Sequence, residues 1–107
     1  MFYRYEFVKD DQRVGILTGL DDFFTWQEVF SVCGVFEINL ETPNVDMDNT
    51  RSYFTDNGNR KFRKGIRKIQ KLAASKGIRV DVITTETLDN IVYSDRYQVV
   101  IRTPPNL

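Results

Sequence analysis

The segment over residues 56–76 constrains the fold of this chain more strongly than any other part of the sequence. Its apolar side chains recur at positions i, i+4, i+7 and i+11, which form one stripe along a helix of 3.6 residues per turn. They are Phe62, Ile66, Ile69 and Ala73. Thr55 or Asp56 can cap the N-terminus of such a helix, and Gly77 can end it in the left-handed conformation. The pattern therefore predicts one long helix over about 56–76 that buries this stripe.

The N-terminal third of the chain predicts a β-hairpin followed by a short helix. Aromatic residues alternate with polar residues over 2–9, and a second apolar run follows over 13–20 after a polar turn. Alternation with a period of two is typical of a strand with one buried face, so these runs predict a hairpin. Thr25 and Glu28 match a capping box, in which each side chain accepts a hydrogen bond from the other's backbone. The capping box predicts a short helix over about 26–33.

Further strands are expected after each helix. The candidate segments are 35–40, 78–84, 91–93 and 97–103. In the clearest of them, Val80 and Val82 are expected to face the core. A chain of 107 residues fits one domain. The predicted fold is therefore a single α+β domain, 1–107, whose mainly antiparallel sheet is covered by one long helix (about 56–76) plus one short helix (about 26–33).

The charged side chains cancel over the whole chain but are strongly segregated along it. There are 15 basic and 15 acidic residues. Residues 60–79 hold nine basic residues and no acidic ones, whereas residues 1–59 hold eleven acidic residues and four basic ones. On the predicted helix, most of these cations point away from the apolar stripe. The candidates for binding an anion are Arg60, Arg63, Lys64, Arg67, Lys68 and Lys71.

A helix face with many cations and no acids predicts a partner that carries many negative charges. We therefore expect a small binding protein that contacts nucleic acid or an acidic protein surface. A second interpretation stays open, because the cations could pair with the acidic N-terminal half of the same molecule. A third is an inhibitor from a phage or mobile element that docks on a larger protein, with acidic segments that imitate nucleic acid.

Residue types that the chain lacks exclude several chemistries. There is no His, which removes Cys–His dyads, Ser–His–Asp triads and His-based metal sites. The one Cys cannot form an internal disulfide, so we expect a cytoplasmic protein. No apolar run approaches the roughly 18 residues that a membrane span needs. We expect no cofactor, no metal site and no membrane association, and a non-enzymatic role is favoured while the oligomeric state stays open.

Three short segments, in this order, resemble parts of ADP-ribosyltransferase-like domains. They are Phe2-Tyr3-Arg4, Ser52-Tyr53-Phe54-Thr55 and Tyr97-Gln98-Val99-Val100. In that superfamily an early Arg or His and a Ser/Thr-containing strand hold NAD, and a late Glu positions the ribose. The resemblance implies that Arg4 and Ser52 or Thr55 would hold the cofactor, with Gln98 in place of the Glu. Because an amide lacks the charge of a carboxylate, the alternative function is a degenerate NAD-binding domain.

Overall fold

The fold is organised around a curled antiparallel sheet. The computed structural model describes residues 1–16, 23–25, 27–28 and 49–103. Within these residues the strands are β1 (Phe2–Lys9), β2 (Gln12–Gly15), β3 (Thr50–Phe54), β4 (Arg79–Thr85), β5 (Ile91–Ser94) and β6 (Gln98–Arg102). Every pairing among these strands is antiparallel, and together they form one six-stranded sheet that curls into a half-barrel.

β1 pairs with three other described strands, along both of its edges. One edge pairs with β4 over residues 2–8 of β1. Two strands share the other edge. The C-terminal half of β1 pairs with β2 in a tight hairpin, and Tyr3, near its N-terminal end, pairs with Phe54 of β3. β3 then continues the sheet to β6 and β5. The predicted hairpin is confirmed, although its second strand ends at Gly15, and residues 17–20 lie outside the described part of the chain.

The register divides the side chains of β1 between two faces, because directly opposite residues in antiparallel strands share a face. Tyr3, Tyr5 and Phe7 face the core, where Phe7 is fully buried, while Arg4 and Glu6 face the other side. The buried cluster consists of Phe7, Ile16, Phe24, Phe54, Phe62, Ile66, Ile69, Ala73 and Ile78. All members of the predicted apolar stripe belong to this cluster, so its burial is confirmed.

The predicted single long helix over about 56–76 is wrong. The segment forms two helices, α1 (Asp56–Lys61) and α2 (Arg63–Ser75), which meet at Phe62. Phe62 has the non-helical dihedral angles φ −98° and ψ 14°, and its buried ring packs between those of Phe54 and Tyr97. The sequence has no proline at this point, and we attribute the interruption to the packing of the Phe62 ring between two other elements.

The two helices do not cover the sheet as the sequence predicted. α2 has 13 residues and is about 20 Å long, shorter than the roughly 30 Å of the expected helix. It packs mainly against β4, while α1 packs mainly against β1 and β3. The predicted class, a sheet covered by one long helix, is therefore corrected: the structure shows a mainly antiparallel curled sheet, with two short helices over residues 49–103.

The other expected elements have mixed outcomes. The capping box is confirmed, since the Thr25 N–H donates to Glu28 Oε1 at 2.8 Å and the Glu28 N–H donates to Thr25 Oγ1 at 3.3 Å. Most of the predicted helix over 26–33 and all of the strand over 35–40 lie outside the described residues. Strand β3 was not expected. Val82, expected in the core, is 49% exposed, because its strand β4 pairs only with β1 among the described strands.

The N-terminus of α1 is fixed against the turn that joins β5 to β6. Thr55 is the N-cap, whose Oγ1 accepts a hydrogen bond from the Gly58 N–H at 3.1 Å and donates to the Arg96 carbonyl oxygen at 2.6 Å. The backbone N–H of Thr55 donates to the Tyr97 carbonyl oxygen at 3.0 Å. Gly58 packs so closely on this turn that a Cβ atom would lie 1.9 Å from the Tyr97 carbonyl oxygen. α1 therefore needs a glycine here.

Candidate anion-binding surface

The cations that were predicted to bind an anion are all exposed on α1 and α2. They are Arg60, Arg63, Lys64, Arg67, Lys68 and Lys71, and we call them the basic strip. The apolar stripe of the same segment is buried in the core, so the two sets of side chains occupy different sides of the helices. The members on α2 extend from Arg63 to Lys71, which is about 12 Å along the helix axis.

The carboxylates that the structure describes pair mainly with cations outside the basic strip. Glu28 pairs with Lys76 at 2.7 Å, and Asp81 pairs with Arg79 at 2.8 Å, both beyond the C-terminal end of α2. Five members of the strip form no ion pair with a described carboxylate; they are Arg60, Arg63, Lys64, Arg67 and Lys71. The acidic residues at 21–22 and between 37 and 48 lie outside the described residues.

A pocket of about 200 Å³ opens beside the basic strip, between α1, α2 and β1. The residues that line it are Tyr5, Asn59, Arg63, Ile66, Arg67 and Gln70. Arg63 and Arg67 lie one helical turn apart, about 6 Å along the axis, so both side chains border the same space. None of these described lining residues is acidic, so together they carry two positive charges and no negative charge.

The hydroxyl of Tyr5 stays protonated at neutral pH. Burial raises the pKa of Tyr5 above its ordinary value, and the nearby Tyr3 adds to this effect. The charge of Arg63 and the hydrogen bond with Asn59 act on this pKa in the opposite direction but do not cancel the increase. The protonated hydroxyl donates a hydrogen bond to Asn59 Oδ1, and the amide nitrogen is then the atom of Asn59 that can donate to a ligand.

Arg4, the first residue of the NAD-binding alternative, is held by the protein itself. Its Nε donates to Glu6 Oε2 at 2.7 Å, and its Nη1 donates to the carbonyl oxygen of Ser52 at 3.2 Å. The guanidinium packs over Gly15, where a Cβ atom would lie 2.9 Å from Nη2. Burial opposes ionisation of the Glu6 carboxyl, but hydrogen bonds and charges from Arg4 and Arg13 outweigh burial and lower its pKa. Arg4 therefore belongs to a charge network that joins β1 to its neighbours.

The residues of this alternative do not meet in one cleft. Through the pairing of β1 with β3 and of β3 with β6, Gln98 lies on the core face of the sheet, whereas Arg4 faces the other side. Gln98 is 2% exposed and donates a hydrogen bond from Nε2 to Asp95 Oδ2 at 3.3 Å. Thr55 is occupied as the N-cap of α1, and Ser52 contacts Arg4 through its carbonyl oxygen.

Sequence reasoning missed the pocket, because its wall combines three elements. Tyr5 comes from β1, Asn59 from α1 and Gln70 from α2. The alternation of β1 did place Tyr5 on the core face. Gln70 is a polar residue on the flank of the apolar stripe, which is a weak signal for the edge of a site. The local pattern gives no reason to connect either residue with Asn59.

Comparison with known proteins assigns no family to this chain. It matches no protein-family model, no curated protein and no solved structure. Among the helices of the described residues, none is long and apolar enough to cross a membrane. The function must therefore be inferred from the site, because a fold by itself does not determine a function.

Proposed function

We propose that the protein binds nucleic acid through the basic strip. The observation that supports this most strongly is a helix surface with six exposed cations, five of which have no described carboxylate as an ion-pair partner. When Lys and Arg side chains neutralise phosphates, counterions that were condensed on the nucleic acid are released, and this release supplies affinity without sequence preference. We expect weak sequence preference, because contacts to phosphates carry no direct information about the bases.

The dimensions of the strip suit a few phosphates of one strand. Its α2 members extend over about 12 Å, and Arg60 adds a further cation at the end of α1. Phosphates of one strand of B-form DNA recur about every 3.4 Å along the helix axis. The α2 part of the strip therefore matches about three or four phosphates, and the whole strip about four or five.

An acidic protein surface is a partner that the strip suits less well. Protein interfaces depend on a few large buried anchors in a desolvated centre. Among the described residues, the exposed large apolar side chains are Met1, Val82 and Ile91, and none of them lies on α1 or α2. The described residues thus give the basic strip no apolar anchor beside its cations. Binding of a nucleic-acid backbone does not need such an anchor, because it depends on the charges of the phosphates.

Charge reversal within the strip tests this proposal. Fluorescence anisotropy with labelled single-stranded and duplex oligonucleotides measures binding at low salt for the wild type and for Lys64→Glu/Lys71→Glu. The control, Lys9→Glu/Arg51→Glu, changes the net charge equally at exposed positions outside the two helices. We expect the strip variant to lose at least about tenfold in affinity, since two attractive phosphate contacts become repulsive. The control should stay close to the wild type.

The outcomes separate the open interpretations. Both strip substitutions replace exposed side chains, so the melting temperature should change little. A large fall in the melting temperature would show that the strip pairs with acidic residues of the same chain. Equal losses of affinity in the two double variants would show that net charge, and not the strip, governs binding. Failure of the wild type to bind any oligonucleotide at low salt would refute the proposal.

A further inference from the structure

The pocket beside the basic strip differs from the rest of the strip in shape. The strip lies on the outer surface of the helices, whereas the pocket recedes between α1, α2 and β1 with a volume of about 200 Å³. Pockets that hold drug-sized ligands or cofactors typically measure about 300–1,000 Å³. This pocket is therefore large enough for one small charged group and its immediate neighbours, and too small for a whole nucleotide.

The wall of the pocket has the chemistry of an oxyanion site. Arg63 and Arg67 supply planar guanidinium groups, which bind phosphate oxygens through paired N–H donors. Asn59 can donate from its amide nitrogen, because its amide oxygen accepts the hydrogen bond from Tyr5. The described lining residues include no carboxylate, so a cationic ligand would find no counter-charge there. The remaining lining residues are Ile66, Tyr5 and Gln70, of which Ile66 and the ring of Tyr5 offer an apolar surface against which a sugar can pack.

A terminal phosphate fits this pocket better than an internal one. A phosphomonoester carries about −1.5 to −2 charges at pH 7 and has three free oxygens. An internal phosphodiester carries one charge and is held between two sugars, which keeps it at the outer surface. Two arginine side chains that border one small concave space match the charge of the monoester. We propose that Arg63, Arg67 and Asn59 hold the terminal phosphomonoester of a nucleic-acid strand, an inference that rests on the proposed function because the remainder of the strand lies along the basic strip.

Oligonucleotides that differ only at one end test the inference. Three single strands of identical sequence carry a 5′-phosphate, a 3′-phosphate or hydroxyl groups at both ends, with the fluorophore on an internal base. We expect one of the two phosphorylated strands to bind at least about tenfold more tightly than the hydroxyl strand, since hydrogen bonds to a charged group are strong. Arg63→Gln/Arg67→Gln should remove this difference. The control Lys64→Gln/Lys71→Gln removes the same charge outside the pocket and should weaken all strands alike.

A second measurement separates failure of this inference from failure of the proposed function. Titration of the ¹⁵N-labelled protein with inorganic phosphate should shift the signals of Arg63, Arg67 and Asn59, and the Arg63→Gln/Arg67→Gln variant should not respond. If all three strands bind equally well and the Lys64→Gln/Lys71→Gln variant still loses affinity, phosphate binding by the pocket is refuted, and nucleic-acid binding by the basic strip stands. Binding of phosphate without binding of any strand would overturn both statements and show only that the pocket binds a phosphate group.

Discussion

Replacing Gly58 with Ala tests the packing of α1 on the turn between β5 and β6. In a solvent-exposed helix this change would stabilise the protein by about 1 kcal/mol, because Gly is a poorer helix former than Ala. In this structure the added Cβ atom would lie 1.9 Å from the carbonyl oxygen of Tyr97, where ordinary contacts begin at 3.4 Å. Neither atom belongs to a flexible side chain. The two backbones must therefore separate by about 1.5 Å.

The separation has a cost that exceeds the gain in helix propensity. Overpacking of this kind costs about 1–3 kcal/mol. Movement of α1 also weakens the two hydrogen bonds that join Thr55 to the carbonyl oxygens of Arg96 and Tyr97, each with a net contribution of about 0.5–1.5 kcal/mol. We expect the free energy of unfolding to fall by about 2–3 kcal/mol after the propensity gain is subtracted. For a domain of this size, the melting temperature should fall by at least about 8 °C.

Urea unfolding followed by circular dichroism measures this change. Asn57→Ala is the matched control, because Asn57 is an exposed neighbour in the same helix, and its replacement should change the free energy of unfolding by no more than about 0.5 kcal/mol. A Gly58→Ala variant as stable as the wild type, or more stable, would refute the close packing of α1 on the turn.

Three other perturbations test the core, a half-buried carboxylate and the cofactor alternative. Ile69 is 1% exposed, so Ile69→Ala should lower the free energy of unfolding by about 2–5 kcal/mol in urea denaturation. Burial alone would raise the pKa of Asp95, but its hydrogen bonds, led by the one from the Tyr97 N–H, lower it. Because this pKa is lower in the folded state, the stabilisation is present at neutral pH and is lost as the pH falls below about 5. The Asp95→Asn variant should show a smaller loss of stability on acidification. Calorimetry with NAD should show no binding, since Arg4 and Gln98 lie on opposite faces of the sheet, and binding that Arg4→Ala removes would restore that alternative.

Local sequence patterns predicted the elements whose contacts are close in sequence. The hairpin follows from alternation in β1, the N-cap from Thr55, and the left-handed residue after α2 from Gly77, which has φ 71°. These features depend on backbone groups within a few residues. Strand β3 was missed because Thr50–Phe54 is short and directly precedes a helix cap, and its strand conformation depends on pairing with β6 and β1.

The interruption at Phe62 could not be predicted from the helical pattern. The apolar stripe keeps its phase through this residue, and all of its members are buried, so the stripe is the same for one helix or for two. What differs is the environment of Phe62, whose ring lies between those of Phe54 and Tyr97. Those rings come from β3 and from the β5–β6 turn. Only the tertiary structure brings them to this point.

The sequence predicted one part of the candidate site, the basic strip, and did not predict the other part, the pocket. Exposure of the basic strip followed from the phase of the apolar stripe, since a side chain opposite the core must face solvent. The pocket did not follow, because Tyr5 and Asn59 are far apart in the sequence and meet through the packing of α1 on β1. The alternation over 2–9 placed Arg4 on the face opposite the aromatic residues, but the sequence did not show which face of the sheet Gln98 would occupy.

The salt dependence of binding to duplex DNA tests the central claim most directly. Each neutralised phosphate contributes about −0.9 to the slope of log affinity against log salt concentration, so four to five contacts give a slope near −4. Fluorescence anisotropy at several salt concentrations measures this slope for the wild type and for Lys64→Glu/Lys71→Glu. We expect about −4 for the wild type and a slope smaller in magnitude by about 2 for the variant. A slope near zero, or one that the variant leaves unchanged, would contradict binding through the basic strip.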